Sequence, residues 1–158
     1  MTEPTQQRFE EALVLLKSAV TAAGDRCGDR CQALIPPVDL ADLPFPDARC
    51  DAVLCSAVLH FARDEAHFDR MLSELWRVLR QGGLFFARLA TTIGMAGRVQ
   101  PLDGHWYLLP DGTRRFLVDE EKLRKATGRL GGTRLDPLKT TLVEDLRAMT
   151  TWVLRKPR

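Results

Sequence analysis

Residues 38–59, VDLADLPFPDARCDAVLCSAVL, decide how the chain is to be read. The segment opens as the end of an extended stretch at Val38, Asp39 and Leu40. It then turns at Leu43-Pro44-Phe45-Pro46-Asp47, where the prolines fix the backbone and Leu43 and Phe45 point inward. From Cys50 to Val58 it is a nearly continuous apolar run bounded by turn residues on its N-terminal side. Such a run suits a strand covered on both faces, as in a parallel sheet.

Downstream, Leu59-His60-Phe61 reads as a strand-to-helix loop, and Asp64 as the N-cap of a helix to about Arg80. Phe68, Met71, Leu72, Leu75, Val78 and Leu79 form its apolar face, and Gly82-Gly83 is expected to end it. Leu84 to Thr92 is then a second strand, so the unit is a right-handed βαβ crossover. Beyond it, Trp106-Tyr107-Leu108-Leu109 and Arg115-Phe116-Leu117-Val118 flank Pro110-Asp111-Gly112-Thr113, a hairpin signal. Asp119 caps a helix through about Leu130, which Gly131-Gly132 stops. Arg134 to Val143 and Ala148 to Leu154 read as an antiparallel pair joined at Glu144-Asp145. Upstream, Phe9, Leu13, Leu16, Ala19, Val20 and Ala23 recur at helical spacing over Thr5 to Ala23, with Gly24 as a stop. Residues 25–32 read as a loop, and 33–40 as an extended segment that Pro36 and Pro37 confine to an edge.

With 158 residues, 45% hydrophobic and 28% charged, the chain suits one domain with a substantial core. The expectation is a single domain over 1–158: helix and loop at 1–32, α/β core at 33–92, hairpin insertion at 93–118, helix and closing strands at 119–158. The net charge of +2 comes from interspersed acids and bases, which argues for neither nucleic acid nor membrane as partner. The terminal RKPR reads as a solvated tail. No apolar stretch reaches the roughly 20 residues of a membrane span, and MTEPTQQRFEE lacks the basic and apolar segments of a signal peptide, so a cytoplasmic protein is expected. Cys50 and Cys55 behave as small hydrophobes. Cys27-x-x-x-Cys31 has no second Cys or His pair nearby and reads as two reduced thiols, so no metal is expected.

The order of blocks, VDLADLPFPDARCDAVLCSAVLHF followed by MLSELWRVLRQGGLFFARL, resembles the middle of a class I S-adenosylmethionine-dependent methyltransferase of the type 11 kind with an aspartate-x-x-x-LPF signature. More weakly, LPDGTRRFLVDEEKL and DPLKTTLVEDLRAMTTWVLRK resemble a tellurite-resistance-like bacterial subgroup. The resemblance implies a partial Rossmann-like α/β fold, mostly parallel, with an antiparallel C-terminal strand and an inserted β-hairpin. It implies S-adenosylmethionine as cofactor and a small-molecule methyl acceptor.

The resemblance also places residues. In-line methyl transfer needs a cleft that holds donor and acceptor in register more than it needs a dedicated acid or base, and in open α/β sheets that cleft lies at the carboxyl ends of the strands. Asp39 falls where the family sets a carboxylate that accepts from the adenine amino group, with the Leu40 N–H donating to the ring. A turn-capping aspartate is the competing reading, and Asp42 competes for the family position. Ser56, Leu59 and His60 follow the strand that floors the methyl-transfer site; His60 is the candidate catalytic residue, to orient or deprotonate the acceptor, or else a packing residue. His105, Tyr107 and Arg115 of the hairpin are candidates for acceptor binding, the family often building a lid there. His67 reads as solvent-facing, and Trp76 and Trp152 as core.

The family's glycine-rich loop, acidic-x-G-x-G-x-G, has no counterpart in the 38 residues before Asp39, which contain Gly24 and Gly28 but no strand leading into a G-x-G turn. The chain therefore reads as the later part of the fold. Two further readings follow: a non-catalytic remnant serving as a binding or dimerisation module, and a fragment of a longer active enzyme. The strand at Cys50 to Val58 would have an open edge, to be covered by the N-terminal helix or by a second copy in a homodimer.

Overall fold

The apolar run at the centre of the chain forms strand β1 (Cys50–Ser56), and helix α1 (Glu65–Val78) carries the chain back to start β2 (Leu79–Thr91) parallel to it. The computed structural model describes residues 39–158. The helix expected over Thr5 to Ala23 with its Gly24 stop, the loop at 25–32, the extended stretch at 33–38 and the Cys27 and Cys31 thiols lie outside the described residues.

Asp64 caps α1 as expected, its Oδ1 accepting the His67 N–H at 2.7 Å. The far end differs from the sequence reading. The helix stops at Val78, and Leu79 is already extended (φ −76°, ψ 129°), so no loop intervenes before β2. The Lys156 ammonium takes the carbonyls of Trp76 and Leu79 at 2.6 and 2.8 Å, and the Ala48 N–H takes that of Arg77 at 2.9 Å. These bonds satisfy the last turn without a glycine cap. The RKPR tail is thus not simply solvated.

Gly82-Gly83 sits inside β2 instead, in a bulge. Cys50 pairs with Leu79 but Ala52 with Leu84, so the intervening residues of β2 loop out and Gly82 turns at φ +72°.

The second half builds a three-stranded sheet from β3 (Gln100–Pro101), β4 (Trp106–Leu108) and β5 (Arg114–Phe116), the last two being the expected hairpin. Two residues ending in proline gave β3 no sequence signal. Helix α2 (Glu120–Leu130) is capped by Asp119 and ends at Gly131 in the left-handed region. The expected single strand from Arg134 to Val143 is two, β6 (Thr133–Arg134) and β7 (Lys139–Val143), because Asp136-Pro137 breaks the ladder between them. Both pair with β8 (Arg147–Arg155), which lies antiparallel beside β2. The main sheet therefore runs β1-β2-β8, with β6 and β7 on the far edge.

Both helices cover one face of this sheet. Phe85 is fully buried between Trp76 of α1 and Trp152 of β8, edge-on to each at centroid distances of 6.1 and 5.5 Å. The Trp152 indole donates to Thr127 of α2 at 3.1 Å, and Arg129 of α2 grips both Asp69 carboxylate oxygens on α1 at 2.5 and 2.6 Å. Cys55 is buried on this face, and burial pushes its thiol up to about 12. On the opposite face Leu54, Phe86 and Val153 form one cross-strand row; Leu54 is 66% exposed.

Candidate functional site

At the carboxyl ends of β1 and β2 lies a cavity of about 220 Å³. Its first wall comes from the way β1 ends. Ala57 holds φ +59°, a left-handed value that a residue with a Cβ adopts under strain, while its N–H still bonds the Arg88 carbonyl at 2.7 Å. The chain is thereby thrown into a single helical turn at Leu59–Phe61 that lays His60 back across β2.

His60 is buried, and its Nδ1 accepts the Ala90 N–H at 3.2 Å. That bond fixes the neutral tautomer with the proton on Nε2. Burial, reinforced by the positive charges of Arg115, Arg147 and Arg88, lowers the ring to about 4.

Three arginines line the same cavity from three different elements. Arg88 lies on β2, Arg115 on β5 and Arg147 at the start of β8. The Arg115 guanidinium lies 4.9 Å from the Phe61 ring centroid and donates to the Arg114 carbonyl at 2.7 Å; burial and the repulsion of Arg147 lower its affinity for its proton, against the pull of Asp111. Arg147 follows the three-residue β7–β8 turn, Glu144-Asp145-Leu146, in which Glu144 and Asp145 hold φ +49° and +58° and the Leu146 N–H bonds the Val143 carbonyl at 2.9 Å. Its Nε is buried with no hydrogen-bond partner among the described residues.

The cavity's carboxylate is Asp111, in the β4–β5 turn. Its Oδ1 accepts the Thr113 N–H at 2.9 Å and the Thr113 hydroxyl at 2.5 Å. Burial alone would raise this carboxyl, but the Thr113 bonds and the charges of Arg147 and Arg115 hold it below its ordinary value.

Of the residues singled out in the sequence, the cavity unites His60 and Arg115. Tyr107, opposite Arg115 in the hairpin, packs on the buried cluster of Ala90, Leu109, Leu117 and Met149 beside it. Ser56 ends β1, exposed, and Leu59 is fully buried; the two bracket the cavity-lining Ala57. His105 is half-buried, its Nδ1 3.1 Å from the Leu117 carbonyl oxygen. Asp39 is exposed in a turn of its own: its Oδ1 accepts the Ala41 N–H at 2.9 Å and its carbonyl the Asp42 N–H at 3.0 Å. The Ala41 bond, against some desolvation and with help from His67 and Arg63, keeps this carboxylate ionised below its ordinary range. Leu40 beside it is half-buried.

His67 departs from its expected exposure. It is buried because its Nδ1 turns back to accept the Arg63 N–H at 3.1 Å, and its Nε2 comes within 3.8 Å of Asp39. Arg88, Asp111 and Arg147 escaped the sequence reading as site residues. A guanidinium in the middle of LFFARLA was the available signal for Arg88, since a charge interrupting an apolar strand needs somewhere to go.

A family model described as "Methyltransferase domain" matches residues 15–87. A protein of Mycolicibacterium smegmatis described as an S-adenosylmethionine-dependent methyltransferase is 40% identical over 78 residues, 46% of this chain and 29% of the relative. A ubiquinone/menaquinone biosynthesis C-methyltransferase of Chromobacterium violaceum is 43% identical over 72 residues, 44% of this chain and 28% of the relative. The chain thus spans less than a third of the length of these curated relatives. Among solved structures, a SAM-dependent methyltransferase of Methanosarcina mazei aligns with a TM-score of 0.63 at 16% identity, over 93% of this chain and 78% of that one. The 1,6-didemethyltoxoflavin-N1-methyltransferase of Burkholderia thailandensis, with 1,6-didemethyltoxoflavin and S-adenosylhomocysteine bound, aligns with a TM-score of 0.60 at 17% identity, over 87% of this chain and 56% of that one. At such identities the structural matches establish the fold.

Proposed function

We propose that this chain, which matches a methyltransferase-domain family model over residues 15–87, is a class I S-adenosylmethionine-dependent methyltransferase and serves methyl transfer from S-adenosylmethionine to a small-molecule acceptor. The observation that carries the reading is the cavity at the carboxyl ends of two adjacent parallel strands, where open α/β sheets bind their ligands. The small acceptor bound by the Burkholderia relative supports the same class here.

The chemistry of the donor set at Asp39 and Leu40 fits the adenine end of the cofactor. An exposed, ionised carboxylate is an acceptor for an exocyclic amine, and the adjacent Leu40 N–H is a donor for a ring nitrogen. When bound, S-adenosylmethionine supplies an electrophilic methyl group. Ser56 and Leu59 flank the exit of β1 and would border that group. His60 acts by position: with Nδ1 held by Ala90 and basicity lowered, its Nε2–H orients the acceptor as a donor. His105, Tyr107 and Arg115 of the hairpin contact the acceptor and keep water from it.

No helix among the described residues is long and apolar enough to cross a membrane. The outer edge of β1 pairs with no strand among the described residues, which supports a homodimer through that edge; a monomer in light scattering with rapid amide exchange along β1 argues against it. Calorimetry tests the main reading. Binding of S-adenosylmethionine and S-adenosylhomocysteine that disappears in Asp39→Ala supports it, and absence of binding at millimolar ligand refutes it.

A further inference from the structure

We infer that the cavity takes a carboxylate, carried by a compact organic acceptor, between the guanidiniums of Arg88, Arg115 and Arg147. The identification of this ligand as the methyl acceptor rests on the reading above; the anion site itself rests on the geometry alone.

Three cationic side chains reach one cavity from strands far apart in sequence, and none of the three is in an ion pair among the described residues. The arginines that are so paired, Arg77, Arg80, Arg98, Arg124 and Arg129, lie elsewhere. Asp111 is the carboxylate in the lining, and it already serves Thr113 twice. His60 is neutral, so the local balance stays positive. Guanidiniums gathered in a recess repel one another, and the buried Arg147 Nε–H is a charged donor without an acceptor among the described residues. An unpaired buried donor is unfavourable enough that its usual explanation is a missing partner. A carboxylate meets both demands, since its two oxygens accept from a guanidinium fork side by side. The apolar part of the wall, Ala90, Leu109 and Met149, faces the carbon skeleton that would carry it.

The test uses the full chain and three probes: benzoate, its uncharged counterpart benzamide, and inorganic phosphate. Titration followed by amide NMR is expected to show benzoate binding at residues around His60, Arg88 and Arg147, at least about tenfold tighter than benzamide. Arg147→Gln and Arg115→Gln are each expected to weaken benzoate about tenfold or more and to leave benzamide unchanged, with circular dichroism confirming the fold. Equal binding of benzoate and benzamide, no benzoate binding at millimolar concentration, or binding of phosphate alone overturns the inference. S-adenosylhomocysteine titrated into the same variants separates the two readings. Benzoate binding without any nucleoside binding keeps the anion site and refutes methyl transfer; nucleoside binding without benzoate does the reverse.

Discussion

The direct passage from α1 into β2 makes a sharp demand on Gly83. A Cβ added there would lie 2.5 Å from Leu79 Cδ1, 2.9 Å from Leu79 Cγ and 2.8 Å from the Arg80 carbonyl oxygen. Leu79 is fully buried and the Arg80 oxygen is backbone, so neither yields easily. Overpacking of this kind costs about 1–3 kcal/mol, and a backbone clash belongs at the upper end. The gain from a stiffer unfolded chain is about 0.4–1 kcal/mol, so Gly83→Ala should destabilise by about 2 kcal/mol. Gly128 supplies the opposite case within the same molecule. It is exposed in α2 at a helical φ, with nothing within 4 Å of an added Cβ, so Gly128→Ala should stabilise by about 1 kcal/mol. Urea unfolding of the two variants beside the parent chain reads both numbers. If Gly83→Ala unfolds at the parent's midpoint or above it, the helix-to-strand junction described here is wrong.

The remaining expectations concern charge. His60 binds its proton near 4 in the fold against an ordinary 6.5, so its contribution is fully present above 6.5 and drains as pH falls toward 4. Up to about 3 kcal/mol is lost over that window, and His60→Gln, which does not titrate, should flatten the slope in unfolding free energy measured against pH. A native His60 ring resonance that titrates above pH 6 argues against the burial. Lys156→Met removes both charged hydrogen bonds at the end of α1 and should cost about 1–2 kcal/mol in urea unfolding, whereas a freely solvated tail would make it neutral. Glu74 accepts from Arg77 and from the Leu43 N–H, bonds that lower its carboxyl to about 2 from 4.5. Its stabilisation is therefore present above 4.5 and lost as pH falls toward 2; Glu74→Gln should lower stability at neutral pH and lessen the acid loss, and an unchanged acid slope sinks this assignment.

What could be read in advance were the features coded locally. The caps at Asp64 and Asp119 and Gly131 past α2 each follow from a residue and its near neighbours and stand as read; the apolar run does form β1, but the strand ends at Ser56 instead of Val58 and is not covered on both faces, Val53 and Cys55 being buried and Leu54 exposed. The parallel pairing of β1 with β2 followed from the spacing of two apolar runs around one amphipathic helix. What escaped is long-range. Gly82-Gly83 looks the same in sequence whether it ends a helix or loosens a strand, and it is Lys156, reaching across from residue 156, together with the Ala48 N–H, that removes the need for a cap. The cavity's charges are scattered over β2, the hairpin and β8, so no spacing announces them. His60 and Arg115 were reached because a family resemblance marks the exit of the first strand and the inserted hairpin as places to look. Arg88 and Arg147 carried no such mark.

The central claim is that a nucleoside cofactor docks where β1 and β2 end. Amide chemical-shift mapping of the full chain with S-adenosylhomocysteine tests it most directly. The account predicts that the perturbed residues cluster at Leu40–Asp42, Ser56–Leu59 and Ala90–Thr92. Shifts confined to the opposite end of the sheet, around Cys50 and Leu84, or no shifts at millimolar ligand, would contradict it.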